Sequence, residues 1–464
     1  LAFKGAFFGV LQRLQAGLQC ALEGSHLVSG GFLQEGVVAQ QRKNNIIKEK
    51  KKMLKKFWTL FSLLLVAAMV LTACGAKETE APVAAEPVTL TVWHQWDGAY
   101  LTAIQGIFDA YMAANPNVTI VLEKPENVSD ALKVAIPAGE GPDIIGWAND
   151  QIGGLALQGY IADLGTLGVD QAFLDATYTP PAAKGVVWSG KIWALPESVE
   201  GIAIVYNKAV ASEADFPADP ANFEDLLAKA TAYAEKNAGK YLLCNQGMPG
   251  GDAYHIAPIY FGFGVPSYVD DAGKAYLNTP EAVAAGNWLT SFKAVAPAEM
   301  SHEICKTMVI EGNAAAWWTG PWAIADLEAA GIDYGILPMG SPFVGIKTLM
   351  VGINSVDRGS AAAALDVIKF FTNTENSKAL ALTNKTIPAN KAAQADAEVQ
   401  ALATIKGFGA SLDRGVPMAN TPFAGAQWGP VGDATAAIWT GSQTVADALA
   451  AAQTAIEEAV AGMQ

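Results

Sequence analysis

Cysteine is scarce in this chain, 4 in 464 residues, and histidine is no commoner. No CxxC pair and no His-rich spacing occurs, so a metal site built from these ligands is not expected. Iron would require histidine, tyrosine and carboxylate together, and His94, His255 and His302 are scattered. Beyond residue 74 the signatures GxxxxGK followed by Ser or Thr, HExxH, GxSxG and GxGxxG are all missing. ATP hydrolysis, zinc hydrolysis and an esterase elbow therefore have no support, and no cofactor is expected. Basic residues are also few, at 30 Lys+Arg against 45 Asp+Glu, and residues 1–73 hold 10 of the basic but only 3 of the acidic ones. The remainder carries 20 basic and 42 acidic residues, a net charge of −22. Such a surface repels phosphate backbones and anionic headgroups, which argues against nucleic acid and against electrostatic docking to a membrane.

Long apolar runs are likewise missing, with one short exception. Lys55 and Lys56 precede a 15-residue stretch from Phe57 to Leu71, and Leu71-Thr72-Ala73 leads into Cys74. A spanning helix needs about 20 apolar residues. The segment 53–73 instead looks like a bacterial lipoprotein signal, which implies lipid on Cys74, cleavage just before it, and a protein held on the outer face of the cell membrane. Residues 1–52 contain no methionine and no clear domain pattern, and Met53 is the expected start; this segment, with Cys20, reads as upstream extension. Residues 74–87, rich in Pro, Ala and Glu, read as an unfolded tether. Cys244 and Cys305 are the cysteines left. An exported compartment permits a bridge, but a core of this size does not require one, so two buried thiols are expected in preference to a disulfide.

From Val88 onward about 380 residues are enough for two lobes at roughly 100–200 residues each. Strands are read at Leu90–Trp93, Val118–Leu122, Ile144–Trp147, Ile202–Tyr206 and Val344–Asn354. Helices are read between Leu101 and Met112 and over Asp130–Ile136, Phe223–Lys236, Ala361–Thr372 and Val445–Val460. Strands alternating with helices predict an α/β fold with a parallel sheet covered on both faces.

Several strings carry a more specific signal: Thr91-Val92-Trp93 with Asp97 and Tyr100; Gly141-Pro142-Asp143-Ile144-Ile145-Gly146-Trp147-Ala148-Asn149-Asp150; Glu200 with Tyr206-Asn207-Lys208; Gly320-Pro321-Trp322; Pro342-Phe343-Val344-Gly345; and Gln443-Thr444-Val445. Together they resemble the maltose/maltodextrin-binding proteins, extracellular solute-binding components of ABC importers. The resemblance implies a two-lobed periplasmic-binding-protein fold, each lobe a sheet flanked by helices, with C-terminal helices and a hinge between lobes near Ser198–Gly201 and Pro338–Phe343. It assigns 88–198 and 339–388 to the N-lobe and 199–338 and 389–464 to the C-lobe.

It also implies a site. A sugar offers apolar C–H faces and a rim of hydroxyls, so its receptor needs flat rings and fixed acceptors. By resemblance the rings are Trp147, Tyr254, Trp322 and Trp428, and the acceptors Asp97, Asp150, Glu200 and Asp252. Trp93 and Trp193 read as core, and Trp96 as an additional ring beside the sugar. Where close maltodextrin binders carry long polar arms this chain has Gly98, Gln151, Gly429 and Gly432, and a pair of glutamates is replaced by Ser129 and Asp130. Glucosyl stacking is thus expected with altered hydroxyl readout. The expected function is non-catalytic capture of an α-glucoside di- or oligosaccharide by a monomer that delivers it to ABC permease subunits. The competing readings are a receptor for another solute such as a polyamine, which carboxylates and stacked rings would also suit, and a glycoside hydrolase.

Overall fold

The computed structural model describes residues 86–463. The expectations for residues 1–52, for the segment 53–73, for Cys74 and for most of the tether lie outside the described residues. Among those described, no helix is long and apolar enough to cross a membrane.

Thirteen strands are described: β1 Val88–His94, β2 Val118–Glu123, β3 Ile144–Ala148, β4 Val187–Trp188, β5 Lys191–Ile192, β6 Leu195–Glu200, β7 Ala203–Asn207, β8 Tyr241–Cys244, β9 Ala314–Thr319, β10 Tyr334–Leu337, β11 Phe343–Val351, β12 Ile387–Pro388 and β13 Val416–Pro417. The longer helices, numbered here in chain order, are α1 Gly98–Ala114, α2 Val128–Ala135, α3 Phe223–Lys236, α4 Ala253–Gly262, α5 Pro280–Phe292, α6 His302–Ile310, α7 Ala361–Phe371, α8 Thr374–Asn384, α9 Trp428–Thr440 and α10 Val445–Ala461. Local chemistry accounts for their limits. Helix α1 buries Tyr100, Ile104, Ile107, Phe108 and Tyr111 at helical spacing and stops at Asn115, because the following Pro116 disfavours a helical residue before it. Asn222 caps α3 by accepting from the Asp225 N–H, and Thr444 caps α10 through Asp447 N–H.

The strands form two main sheets, which gives the two lobes. The larger runs β12-β6-β11-β3-β1-β2, with β13 pairing to β11; the smaller runs β10-β7-β9-β8. Parallel pairing, the expected arrangement, joins β1 to β2 and β3, β11 to the short β13, and β8 to β9. Strand β11 is antiparallel to both β3 and β6, and the smaller sheet is antiparallel apart from β8 beside β9. The reason is the path of the chain: β11 follows directly on β10 of the smaller sheet and enters the larger one from the opposite end to β1–β3. The strand ends at Val351, short of the expected Asn354, because Gly352 turns away and a short helix begins at Ile353.

The chain passes from one sheet to the other at Gly201–Ile202, between β6 and β7, and again at Pro338–Pro342, between β10 and β11. The two passages touch. A Cβ on Gly201 would lie 2.5 Å from the Phe343 carbonyl oxygen and 2.6 Å from Leu412 Cδ2, so no side chain fits without moving backbone. Gly201→Ala is expected to cost about 1–3 kcal/mol, the range for overpacking, visible as a lower melting temperature.

Cys244, at the end of β8, and Cys305, in α6, form a disulfide with a Cα–Cα distance of 5.4 Å. This corrects the expectation of two free thiols. Both elements flank β9: Cys244 stands in register with Trp317, and α6 packs on the same strand. Trp93 and Trp193 are core residues as read from sequence. The Gly-Pro-Asp string also has a structural role, since buried Asp143 accepts from Thr91 N–H, Ser360 Oγ and Arg358 Nη2 and so ties β1 to the loop before α7.

Candidate functional site

A cavity of about 1050 Å³ is lined from both sheets. All eight residues named from sequence line it. From the larger sheet, Trp147 is the penultimate residue of β3 and Asp150 follows in a short 3-10 turn, while Glu200 is the last residue of β6. Asp97 is the residue preceding α1 and makes no side-chain cap. Facing them, Trp322 stands just past β9, Asp252 and Tyr254 at the start of α4, and Trp428 at the start of α9. The placement follows from topology: strands that end side by side deliver their following residues to one crevice.

The rings divide into two groups. Tyr254 stacks on Phe343 at 6.0 Å, Trp428 meets the same Phe343 edge-on at 5.6 Å, and Trp322 leans on Tyr254 at 6.2 Å, forming one aromatic wall. Trp147 is half-buried on the opposite side. Trp96, expected as an additional ring, is mostly core: it stacks on Phe371 at 6.1 Å and on His94 at 5.0 Å, with an edge reaching the cavity. Gly146 makes room for it, since a Cβ there would lie 2.8 Å from the indole.

The carboxylates differ in how much of their hydrogen-bonding capacity is already used. Asp150 is buried; its Oδ2 accepts from Trp428 Nε1 at 2.9 Å and Gln151 Nε2 at 2.6 Å. Burial outweighs these bonds and raises its carboxyl to about 6. Asp252 caps α4 through His255 N–H and accepts from Gln246, with His255 Nδ1 2.8 Å away. Burial opposes its ionised form, but the imidazole and these donors prevail and hold it well below the usual carboxylate range. Asp97 is exposed and paired with Lys124. Glu200 is buried, and burial raises its carboxyl against the pull of Lys347, whose Nζ is 3.3 Å from Oε2.

The sequence changes also find places. Gly98 has φ +54°, and a Cβ on it would lie 3.4 Å from the Asp326 carboxylate, so a longer residue would be strained there. Gln151 turns onto Asp150, Gly432 packs against the backbone of Gly251, and Gly429 faces open space. Ser129 and Asp130 lie at the start of α2, with Asp130 paired to Lys133.

Sequence reasoning gave no site role to several cavity-lining residues, three of which cluster together: Tyr100, quoted only as part of a matching string, Glu197 and Lys347. Tyr100 donates to Glu197 Oε1 at 2.5 Å. A signal was present for the other two. Every residue of β6, Leu-Pro-Glu-Ser-Val-Glu, is buried, and Lys347 is the lone charge in the apolar run of β11. Charges inside otherwise apolar strands mark either a defect or a site.

The chain is 30% identical over 356 residues to the maltotriose-binding protein of Pyrococcus abyssi, covering 74% of this chain and 75% of that one. It is 27% identical over 427 residues to the galactooligosaccharide-binding protein of Bacillus subtilis, covering 86% and 96%. The maltose/maltodextrin-binding domain of Bdellovibrio bacteriovorus, solved with maltotriose, superposes with a TM-score of 0.72 at 22% identity over 81% of this chain and all of that one. The profile of the family described as bacterial extracellular solute-binding protein matches residues 106–407, well over half of the sequence, and the chain belongs to that family.

Proposed function

We propose that the protein captures an α-linked glucose di- or oligosaccharide outside the cytoplasm and hands it to the membrane subunits of an ABC importer, without cleaving it. The observation that carries this reading is the cavity itself, where half-buried rings on both sides face carboxylates supplied by both sheets. Its volume is at the upper end of the range for small-molecule sites, which suits more than one sugar ring. Rings take the apolar faces of a pyranose, and carboxylates take its hydroxyl donors at about 1.5–3 kcal/mol for each charged hydrogen bond. Ligand spanning both lobes would favour a closed state by differential affinity, with hinges at the two passages between sheets. Lipid on Cys74 would hold the receptor at the membrane face, as a monomer beside its permease.

The test is a calorimetric screen of the Cys74-onward protein against maltose, maltotriose, trehalose, sucrose, cyclodextrins and galactooligosaccharides. Stoichiometric binding of an α-glucoside, with the sugar recovered intact by chromatography, supports the reading. Binding of the galactosides alone overturns the linkage, and turnover of the sugar overturns the receptor.

The pH dependence has a definite sign. Because the folded Asp150 carboxyl titrates near 6, above its ordinary value, the empty protein holds a proton that the unfolded chain has lost. This contribution to stability is therefore present at low pH and lost as pH rises through about 6. The ionised Asp150 is the stronger acceptor for a sugar hydroxyl, so binding favours release of that proton. Affinity is expected to fall as pH drops below about 6, by up to about tenfold per pH unit for one group, and to level off above about 7; titration calorimetry in buffers of different ionisation enthalpy reads both.

A further inference from the structure

Lys347 sits at the centre of the larger sheet, in register with Ala148 of β3 and Ser198 of β6, and the pairing of β11 with β6 shifts register directly after it. A bulge of this kind re-aims a side chain, and here the lysine lines the cavity. Its Nζ lies 4.4 Å from the centre of the Tyr100 ring, 5.4 Å from that of Trp322 and 3.3 Å from Glu200 Oε2. Glu197, bonded to Tyr100, completes the surroundings, and Glu197 Oε2 and Glu200 Oε2 have no aligned hydrogen bond among the described residues. Two aromatic faces and two carboxylates around one ammonium group form the arrangement by which proteins recognise organic cations. Here the cation belongs to the chain.

We propose that Lys347 is a specificity-determining residue: its ammonium group fills, from within, a carboxylate and aromatic cage that would otherwise take a ligand cation, and so restricts the cleft to uncharged polyhydroxy ligands. The inference rests on the saccharide reading of the cavity and extends it by naming what is excluded. With Lys347 in place, the charge of the two glutamates is partly offset and both ring faces are occupied. A polyamine or an amino sugar entering the cleft would have to displace a tethered group. A sugar hydroxyl can donate to Glu200 and accept from Lys347 without displacing either.

The experiment measures spermidine, the deacetylated glucosamine disaccharide and maltotriose by calorimetry, at about pH 8, well above the ordinary carboxylate range. The proteins compared are wild type, Lys347→Met, Lys347→Gln and Lys347→Arg. Wild type and the arginine variant are expected to show no measurable cation binding. The methionine and glutamine variants should gain at least about tenfold affinity for spermidine, and this gain should weaken with added salt. Thermal melts identify any variant that does not fold, and either neutral variant suffices. Folded neutral variants with no gain for either cation overturn the proposal, as does wild type binding spermidine as tightly as they do. A wild type that takes no saccharide, with the cation gain intact, would instead overturn the saccharide reading alone.

Discussion

Replacing Cys244 and Cys305 together with serine is expected to lower stability by about 4 kcal/mol. The estimate follows from the 61-residue separation of the two cysteines, since closing a loop of that length removes chain entropy from the unfolded state on the order of 14 cal/mol/K. Loss should appear in urea unfolding as an earlier midpoint for the transition of the smaller sheet, and reductant should reproduce it in the wild type. The bridge fastens α6 to the end of β8, and α6 brings His302, Glu303 and Lys306 to the cavity wall. Trp322 is held by β9 and does not depend on that tie. Saccharide affinity of the folded double variant is therefore expected to change by less than about threefold, within the scatter of changes made away from a hot spot. An unaltered urea midpoint would show that the two thiols are not joined in the native protein.

The disulfide also shows where sequence reading reached its limit. Two cysteines 61 residues apart carry no information about proximity until it is known that β8 and α6 share β9 as a neighbour. The element limits were more legible because they depend on local chemistry. Helix α3 occupies the predicted Phe223–Lys236, fixed by Asn222 at one end and acidic residues in the first turn. Strand directions were not legible, because the alternation of strand and helix that predicts parallel pairing is interrupted each time the chain changes sheet. The cavity-lining residues were reached through resemblance: by composition alone nothing separates Trp322 from Trp317 and Trp318. Lys347 escaped because it lies outside the matching strings, and its place is marked only by the apolar neighbours of its strand.

That contrast within one strand and its exit supports the prediction with the clearest consequence. Trp317 and Trp318 in β9 are fully buried, while Trp322, four residues beyond Trp318, is half-buried and lines the cavity. Trp318→Ala should destabilise the fold by about 3–5 kcal/mol, towards the lower figure because its indole N–H has no partner among the described residues and its removal also removes an unsatisfied donor. Where the variant remains folded, it should bind sugar as wild type does. Trp322→Ala should do the reverse. The ring contributes a flat face to the ligand and a cation–π partner to Lys347, so its loss is expected to weaken saccharide binding by about 1–3 kcal/mol, or about 5- to 150-fold, with only a few degrees lost in melting temperature. Trp147→Ala, on the opposite wall, should weaken binding within the same range. Calorimetry and thermal melts on the three variants separate the roles. If Trp322→Ala lost stability and kept its affinity, the ring would belong to the core of the smaller lobe, and the aromatic wall would have to be assigned without it.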